Sequence, residues 1–287
     1  MKTLYISDLD GTLLNREAVL SPFTRDTLNA LIDDGLNFSV ATARSDASVN
    51  TILAGLRMNL PVSLMNGVII YDMAEKRYER VLYLPLEASE ATVKAMRETG
   101  MTAFMYELRD GVFRIYHESL ESAPMRAFVK ERVKRYQKEF RHTESFSDVS
   151  FGHIIYFTLL DTFPRVCAVK DLLADTPGIT MTLYRDIYSD GLWYLEIFSA
   201  AASKQTAAEY LRERYGFDRV VGLGDNLNDL PLFRACDTRV AVENAAAELK
   251  SAADFICASN ENDGVAKWLL EKHLRESKGG NWRGLRP

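Results

Sequence analysis

Cysteine is scarce in this chain of 287 residues. The three present, Cys167, Cys236 and Cys257, are far apart and odd in number. No disulfide framework and no zinc-ligand spacing can be read from them, and free thiols of a cytoplasmic protein are expected. The four histidines, His117, His142, His153 and His273, also lack metal-ligand spacing. Positive charge is not in excess: 35 Lys and Arg stand against 40 Asp and Glu, a net charge of −5. The electrostatic footprint of a nucleic-acid-binding protein is therefore missing. No apolar run approaches the length of a membrane span. The N-terminal stretch meets Asp8 too early for the apolar part of a signal peptide, so neither membrane nor export is expected.

Hydrophobic residues make up 47% of the chain, enough for a substantial core. The first eighty or so residues alternate strand and helix. Leu4 to Ser7 reads as a strand, and a helix capped by Ser21 with Pro22 at its first position follows, its stripe formed by Leu28, Leu31 and Ile32. Strands at Leu36 to Ala41 and Val62 to Met65 flank a helix with Val49, Ile52, Leu53 and Leu56 in register. This rhythm predicts an α/β fold with a doubly wound parallel sheet. Near Pro85 the pattern changes to helices with two antiparallel hairpins, turning at Arg109-Asp110-Gly111 and Ser189-Asp190-Gly191. The amphipathic stretch from Met125 to Phe140 reads as a helix whose basic residues form a solvated face. The parallel rhythm resumes with a helix from Ser203 and a strand from Arg219 to Leu223. The expected organisation is a core in two pieces, 1–84 and 197–276, an inserted α+β cap, 85–196, and a flexible tail, 277–287.

Asp8-Leu9-Asp10-Gly11-Thr12 directly follows the first apolar strand. Two carboxylates two residues apart project to one side of the sheet. In a half-buried cleft they need a cation or a shared proton. Turn chemistry alone could place Asp and Gly there, so the weight rests on what stands at the other strand ends. Thr42 follows the second strand, Asn66 the third, and Asp225, Asn228 and Asp229 follow the strand ending at Leu223. Lys204 opens the helix before that strand. Ligands of open parallel sheets bind at this rim. Acids, a hydroxyl and an amine converging there point to phosphoryl transfer. Asp8 would attack to give an aspartyl-phosphate, Asp10 would act as general acid and base, and Mg²⁺ on hard oxygen ligands, helped by a lysine, would cancel charge.

In order along the chain, Asp8 to Thr12, Thr42, Lys204 and Gly224-Asp225-Asn226-Leu227-Asn228-Asp229 resemble the four signatures of the haloacid dehalogenase-like phosphatases. Asn66-Gly67, Asn244-Ala245, Lys250 with Ala253-Asp254, and Asp263-Gly264-Val265 resemble accessory motifs of the Cof-type subgroup, which carries a large α/β cap between its second and third signatures. The resemblance implies that Asp8 is nucleophile and metal ligand, and that Asp10 is general acid/base and gives its backbone carbonyl to the metal. It implies that Thr42 and Lys204 bind the phosphoryl group with backbone amides near Leu9 and Ala43. It further implies that Asp225 is the third Mg²⁺ ligand, while Asn228 and Asp229 support the phosphate and the metal's waters. Ala43 stands where many relatives have glycine.

The function expected from these residues is a Mg²⁺-dependent phosphatase for a small phosphorylated metabolite, a sugar phosphate foremost. A phosphomutase on the same scaffold and a catalytically silent phosphosugar-binding protein are the alternatives. Polar character near strand ends singles out Tyr184, Arg185 and His153 as cap residues for specificity. A monomer is the expected state.

Overall fold

The computed structural model describes residues 1–120, 122–186 and 191–277. The chain divides into two compact units. One comprises Met1–Arg80 and the chain from Ser203 onward; the other is Val81–Ala202.

The first segment of the two-piece unit holds β1 (Thr3–Ser7), α1 (Pro22–Asp33), β2 (Asn37–Val40), α2 (Asp46–Ile52), β3 (Val62–Leu64), β4 (Ile69–Asp72) and β5 (Arg77–Val81). Helix α1 starts where its cap requires: the Ser21 hydroxyl accepts the Thr24 amide at 3.0 Å, and Pro22 occupies a position whose N–H has no helical partner. Leu28, Leu31 and Ile32 are buried, as their spacing predicts. Helix α2 stops at Ile52, earlier than expected, and Leu53 and Leu56 are buried from the turn that follows it. The third strand also departs from expectation. It does not extend the parallel sheet but lies in a separate three-stranded sheet, order β3-β4-β5. The tight return through Met65–Gly67 pairs β3 antiparallel with β4, and one bridge, Ala41↔Ser63, links it to the end of β2.

The inserted unit runs α3 (Leu86–Thr99), β6 (Phe104–Arg109), β7 (Val112–His117), α4 (Ala123–Tyr136), β8 (Phe140–His142), β9 (Ile154–Thr162), α5 (Phe163–Leu172), β10 (Ile179–Arg185) and β11 (Leu192–Ser199). Its six strands form one sheet, order β10-β11-β9-β6-β7-β8. Alternation along β6 sorts its side chains: Met105 joins Phe157, Leu195 and Ile197 in the main apolar cluster, while Phe104 stacks on Phe128 of α4. The helix expected to reach Phe140 ends at Tyr136. Gln137 takes the left-handed cap conformation, and Phe140 opens β8, its ring edge-on to Phe104. The unit begins before residue 85 and ends after 196, because the Leu84 amide bonds the Ile154 carbonyl and β11 continues to Ser199. Two of the three residues of the second expected hairpin turn signal, Ser189 and Asp190, lie outside the described residues. The expected tail lies outside them from residue 278 onward.

The returning segment adds α6 (Lys204–Tyr215), β12 (Arg219–Gly224), α7 (Leu230–Arg234), β13 (Thr238–Val242), α8 (Ala247–Ser251), β14 (Phe255–Cys257) and α9 (Gly264–Ser277). The central sheet, order β14-β13-β12-β1-β2, is parallel throughout. Leu4 and Ile6 of β1 and Val220 of β12 are buried within it, as strands covered on both faces require. The chain leaves β1 toward β2 and later returns to its other side as β12. The boundary between β1 and β12 is thus a topological switch point, where crevices form outside the carboxyl ends of the strands. Among the described residues no helix is long and apolar enough to cross a membrane.

Candidate active site

The residue after β1 is tied to the end of β12: the Asp8 amide donates to the Leu223 carbonyl at 2.9 Å. Asp8 is only 5% exposed. Gly224 and Asp225 close β12 on the same rim, and the Asp225–Asp229 turn is folded around one carboxylate. Asp229, with no exposed surface, accepts the amides of Asp225 (2.9 Å) and Asn226 (3.2 Å) on Oδ2. A side chain on residue 224 would stand 2.7 Å from that carboxylate group, so glycine is needed for the close approach.

Lys204 reaches the same point from α6. Ser203 and Thr206 form a reciprocal cap at the start of this helix, which fixes the first turn. The Lys204 ammonium, 2% exposed, lies 2.5 Å from Asp8 Oδ1 and 2.6 Å from Asp229 Oδ1. Burial alone would push this amine toward neutrality. Asp229 and Asp8 pull the other way and raise it above the ordinary lysine value, so it stays charged. Burial raises Asp8 well above the usual carboxylate range; Lys204 opposes this, while Asp229 and Asp225 add to it. Asp225 is pushed up to about 6, first by burial and then by Asp229.

One lysine thus faces three acids. Carboxylate oxygens of Asp8, Asp225 and Asp229 lie within 4.8 Å of one another. Clustered carboxylates short of positive charge are stabilised by a cation, and an all-oxygen set suits a hard ion such as Mg²⁺. The donor set therefore fits a metal. Asp229 already spends one oxygen on Lys204 and the other on two amides, which makes it a support for its neighbours. The Asp10 carboxylate is absent from the cluster. It is exposed and held in a fork by Arg44, with Nε 2.7 Å from Oδ2 and Nη2 2.6 Å from Oδ1. Any part of Asp10 in metal binding falls to its carbonyl.

Thr42 is buried at the end of β2. Its oxygen accepts the Arg44 amide at 3.2 Å, which leaves the hydroxyl proton to donate. The amides of Leu9 and Ala43 make no hydrogen bond to another described residue. Asn228 is exposed on the turn after Asp225.

Residues 5–269 match the haloacid dehalogenase-like hydrolase family. The chain belongs to the haloacid dehalogenase-like hydrolases. Within them it is similar to the Cof-type phosphatases and is a phosphoric monoester hydrolase. A Bacillus subtilis relative, the 5-amino-6-(5-phospho-D-ribitylamino)uracil phosphatase YwtE, is 28% identical over 94% of this chain and 97% of its own. The Escherichia coli pyridoxal phosphate phosphatase YbhA is 20% identical over 93% and 97%. A haloacid dehalogenase-like hydrolase from Bacteroides thetaiotaomicron shares the fold, with a TM-score of 0.79 at 24% identity over 95% of this chain and 100% of that one.

In this hydrolase Asp8, Lys204, Asp225 and Asp229 come together, and Thr42 and Asp10 stand on the loops beside them. Two contacts went unread in the sequence. Arg44 holds Asp10, and the Thr12 hydroxyl donates to Asp225 Oδ1 at 3.1 Å. Arg44 directly follows the Thr42-Ala43 pair and Thr12 closes the first motif, so each had a positional signal but no visible partner. The residues expected to set specificity lie in the inserted unit. Tyr184 is engaged there by Glu196 at 3.0 Å, Arg185 ends β10 opposite Trp193, and His153 packs edge-on against Tyr83.

Proposed function

We propose that this hydrolase removes the phosphoryl group of a small phosphorylated metabolite, a sugar or polyol phosphate foremost, through an aspartyl-phosphate on Asp8 and with Mg²⁺ as cofactor. The observation that carries the reading is the pairing of buried Asp8 with buried Lys204 inside a cluster of three acids. Lys204 takes one oxygen of Asp8 and opposes the effect of burial on its ionisation, while the other oxygen remains for attack on phosphorus. Asp8, Asp225 and the Asp10 carbonyl would hold Mg²⁺, which offsets the charge that a carboxylate and an anionic ester bring together.

Asp8 forms a bond to phosphorus as the bond from phosphorus to the ester oxygen breaks. Asp10 gives its proton to the departing oxygen, and the alcohol leaves. Asp10 then takes a proton from the water that attacks phosphorus; the acyl phosphate bond breaks, inorganic phosphate departs and Asp8 is restored. Thr42, Lys204 and the amides of Leu9 and Ala43 orient the phosphoryl oxygens, with Asn228 and Asp229 supporting them. Relatives named for a phosphoribitylamino-uracil and for pyridoxal phosphate support a small ester as substrate.

The test is phosphate release from a panel of phosphorylated metabolites, with Mg²⁺ and with excess chelator. Release that stops with chelator and returns with Mg²⁺ is expected. Release unchanged in chelator would contradict the metal, and isomerised sugar phosphate without free phosphate would replace hydrolysis by a mutase.

A further inference from the structure

We infer that Thr12 is a positioning residue for the metal site, holding the Asp225 carboxylate in the orientation that a divalent cation requires. The inference rests on the reading of Asp225 as a metal ligand.

The Thr12 hydroxyl donates to Asp225 Oδ1 at 3.1 Å, and Thr12 is 1% exposed, so water does not compete for that bond. The preceding residue closes the other side. Gly11 has φ +77°, and a Cβ built there would stand 2.3 Å from Asp225 Oδ2 and 2.9 Å from Cγ. The Gly11–Thr12 turn therefore backs directly onto the carboxylate, with a donor at one oxygen and bare backbone at the other.

That turn is itself anchored from a distant part of the sequence. The Asn244 side-chain amide donates to the Gly11 carbonyl at 2.8 Å, and the Asn244 side-chain oxygen accepts the Asn260 amide at 3.0 Å. The Asp225 carbonyl accepts the Ala246 amide at 2.8 Å, so its main chain is held from the same side. What remains soft is the terminal torsion of the aspartate, which has a broad, roughly two-fold preference. A hydrogen bond to one oxygen removes that freedom before a cation arrives. Partners of this kind orient metal ligands, and losing one costs about 10–100-fold in metal affinity or activity.

Thr12→Val keeps the side chain's shape and removes its donor; Thr12→Ser restores the donor. Mg²⁺ is titrated calorimetrically into the whole protein without substrate, and thermal melting is followed alongside. Thr12→Val is expected to weaken Mg²⁺ binding by about 10-fold or more, while Thr12→Ser stays within about 3-fold of wild type. In an Asp225→Asn background, Thr12→Val is expected to have no further effect on Mg²⁺ binding, a readout that loss of packing alone would not produce. Wild-type affinity in Thr12→Val, or equal weakening in Thr12→Ser, would overturn the inference and leave Asp225 as a ligand. If Thr12→Val does not fold, Thr12→Ser and Thr12→Ala are compared, and equal affinities in that pair would overturn it. A wild type that binds no Mg²⁺ would overturn the metal reading and this inference with it.

Discussion

A Cβ on Gly67 would stand 2.1 Å from the carbonyl oxygen of Ser203, the residue that caps the helix carrying Lys204. Gly67 ends a run of three residues with positive φ, Met65, Asn66 and Gly67. The same run is bonded to the second strand end, since the Asn66 amide donates to the Thr42 carbonyl and the Met65 amide to that of Arg44. It therefore sets the spacing between Thr42 and Lys204.

Gly67→Ala should force Ser203 and Lys204 away from Thr42. Misplacing a catalytic group by about 1 Å can cost about 100-fold, so kcat/KM is expected to fall by about 10–100-fold, with a lower melting temperature. Steady-state kinetics on the best ester of the panel checks this. Unchanged kcat/KM would show that the close approach does not matter.

Asp225 supplies a prediction about pH. Its folded value is near 6, above the usual 3.8. A carboxylate raised on folding destabilises the fold where it must ionise: the penalty is absent below about pH 4, grows as pH rises toward 6, and stays constant above. In metal-free protein, Asp225→Asn should therefore melt a few °C higher than wild type at pH 7.5, and the gap should close toward pH 4. Saturating Mg²⁺ should reverse the order, because the wild type binds the cation more tightly and gains more from it than Asp225→Asn. A metal-free Asp225→Asn protein that melts lower than wild type at pH 7.5 would contradict the raised value.

If Asp10 protonates the departing oxygen, its loss should depend on how badly that oxygen needs a proton. Asp10→Asn is expected to slow an alkyl phosphate by about 10²–10⁴-fold and 4-nitrophenyl phosphate much less, since nitrophenolate leaves unaided. Equal losses on both substrates would remove Asp10 from the acid role.

Much of the site could be read from local pattern. Asp8 sits behind one apolar strand and Asp225 behind another; strand ends in a parallel sheet share one rim, so the meeting of these two follows from the period of the hydrophobic residues, whereas the Asp10 carboxylate turns out to Arg44. What could not be read is which long-range partner each residue takes. The Lys204 contact with Asp8 spans 196 positions and the Thr12 contact with Asp225 spans 213; neither leaves a trace in local composition. The Arg44 fork on Asp10 needs the loops after β1 and β2 to face each other, a fact of topology alone. The sheet membership of β3 was misread for a related reason: its three residues carry the same apolar signature whether they extend the parallel sheet or turn back through Met65–Gly67 onto β4. Phe140 matched helical spacing but serves β8, because an apolar residue at a helix end is also a good first residue of a strand.

In the proposed reaction Asp8 carries the phosphoryl group between substrate and water. Acid quenching during turnover of a phosphate-labelled ester, followed by borohydride reduction and peptide mass analysis, tests it most directly. Wild-type protein should carry label and yield homoserine at position 8 after reduction, and Asp8→Asn should show neither label nor turnover. Steady turnover with no label on the protein, or substantial activity in Asp8→Asn, would contradict it.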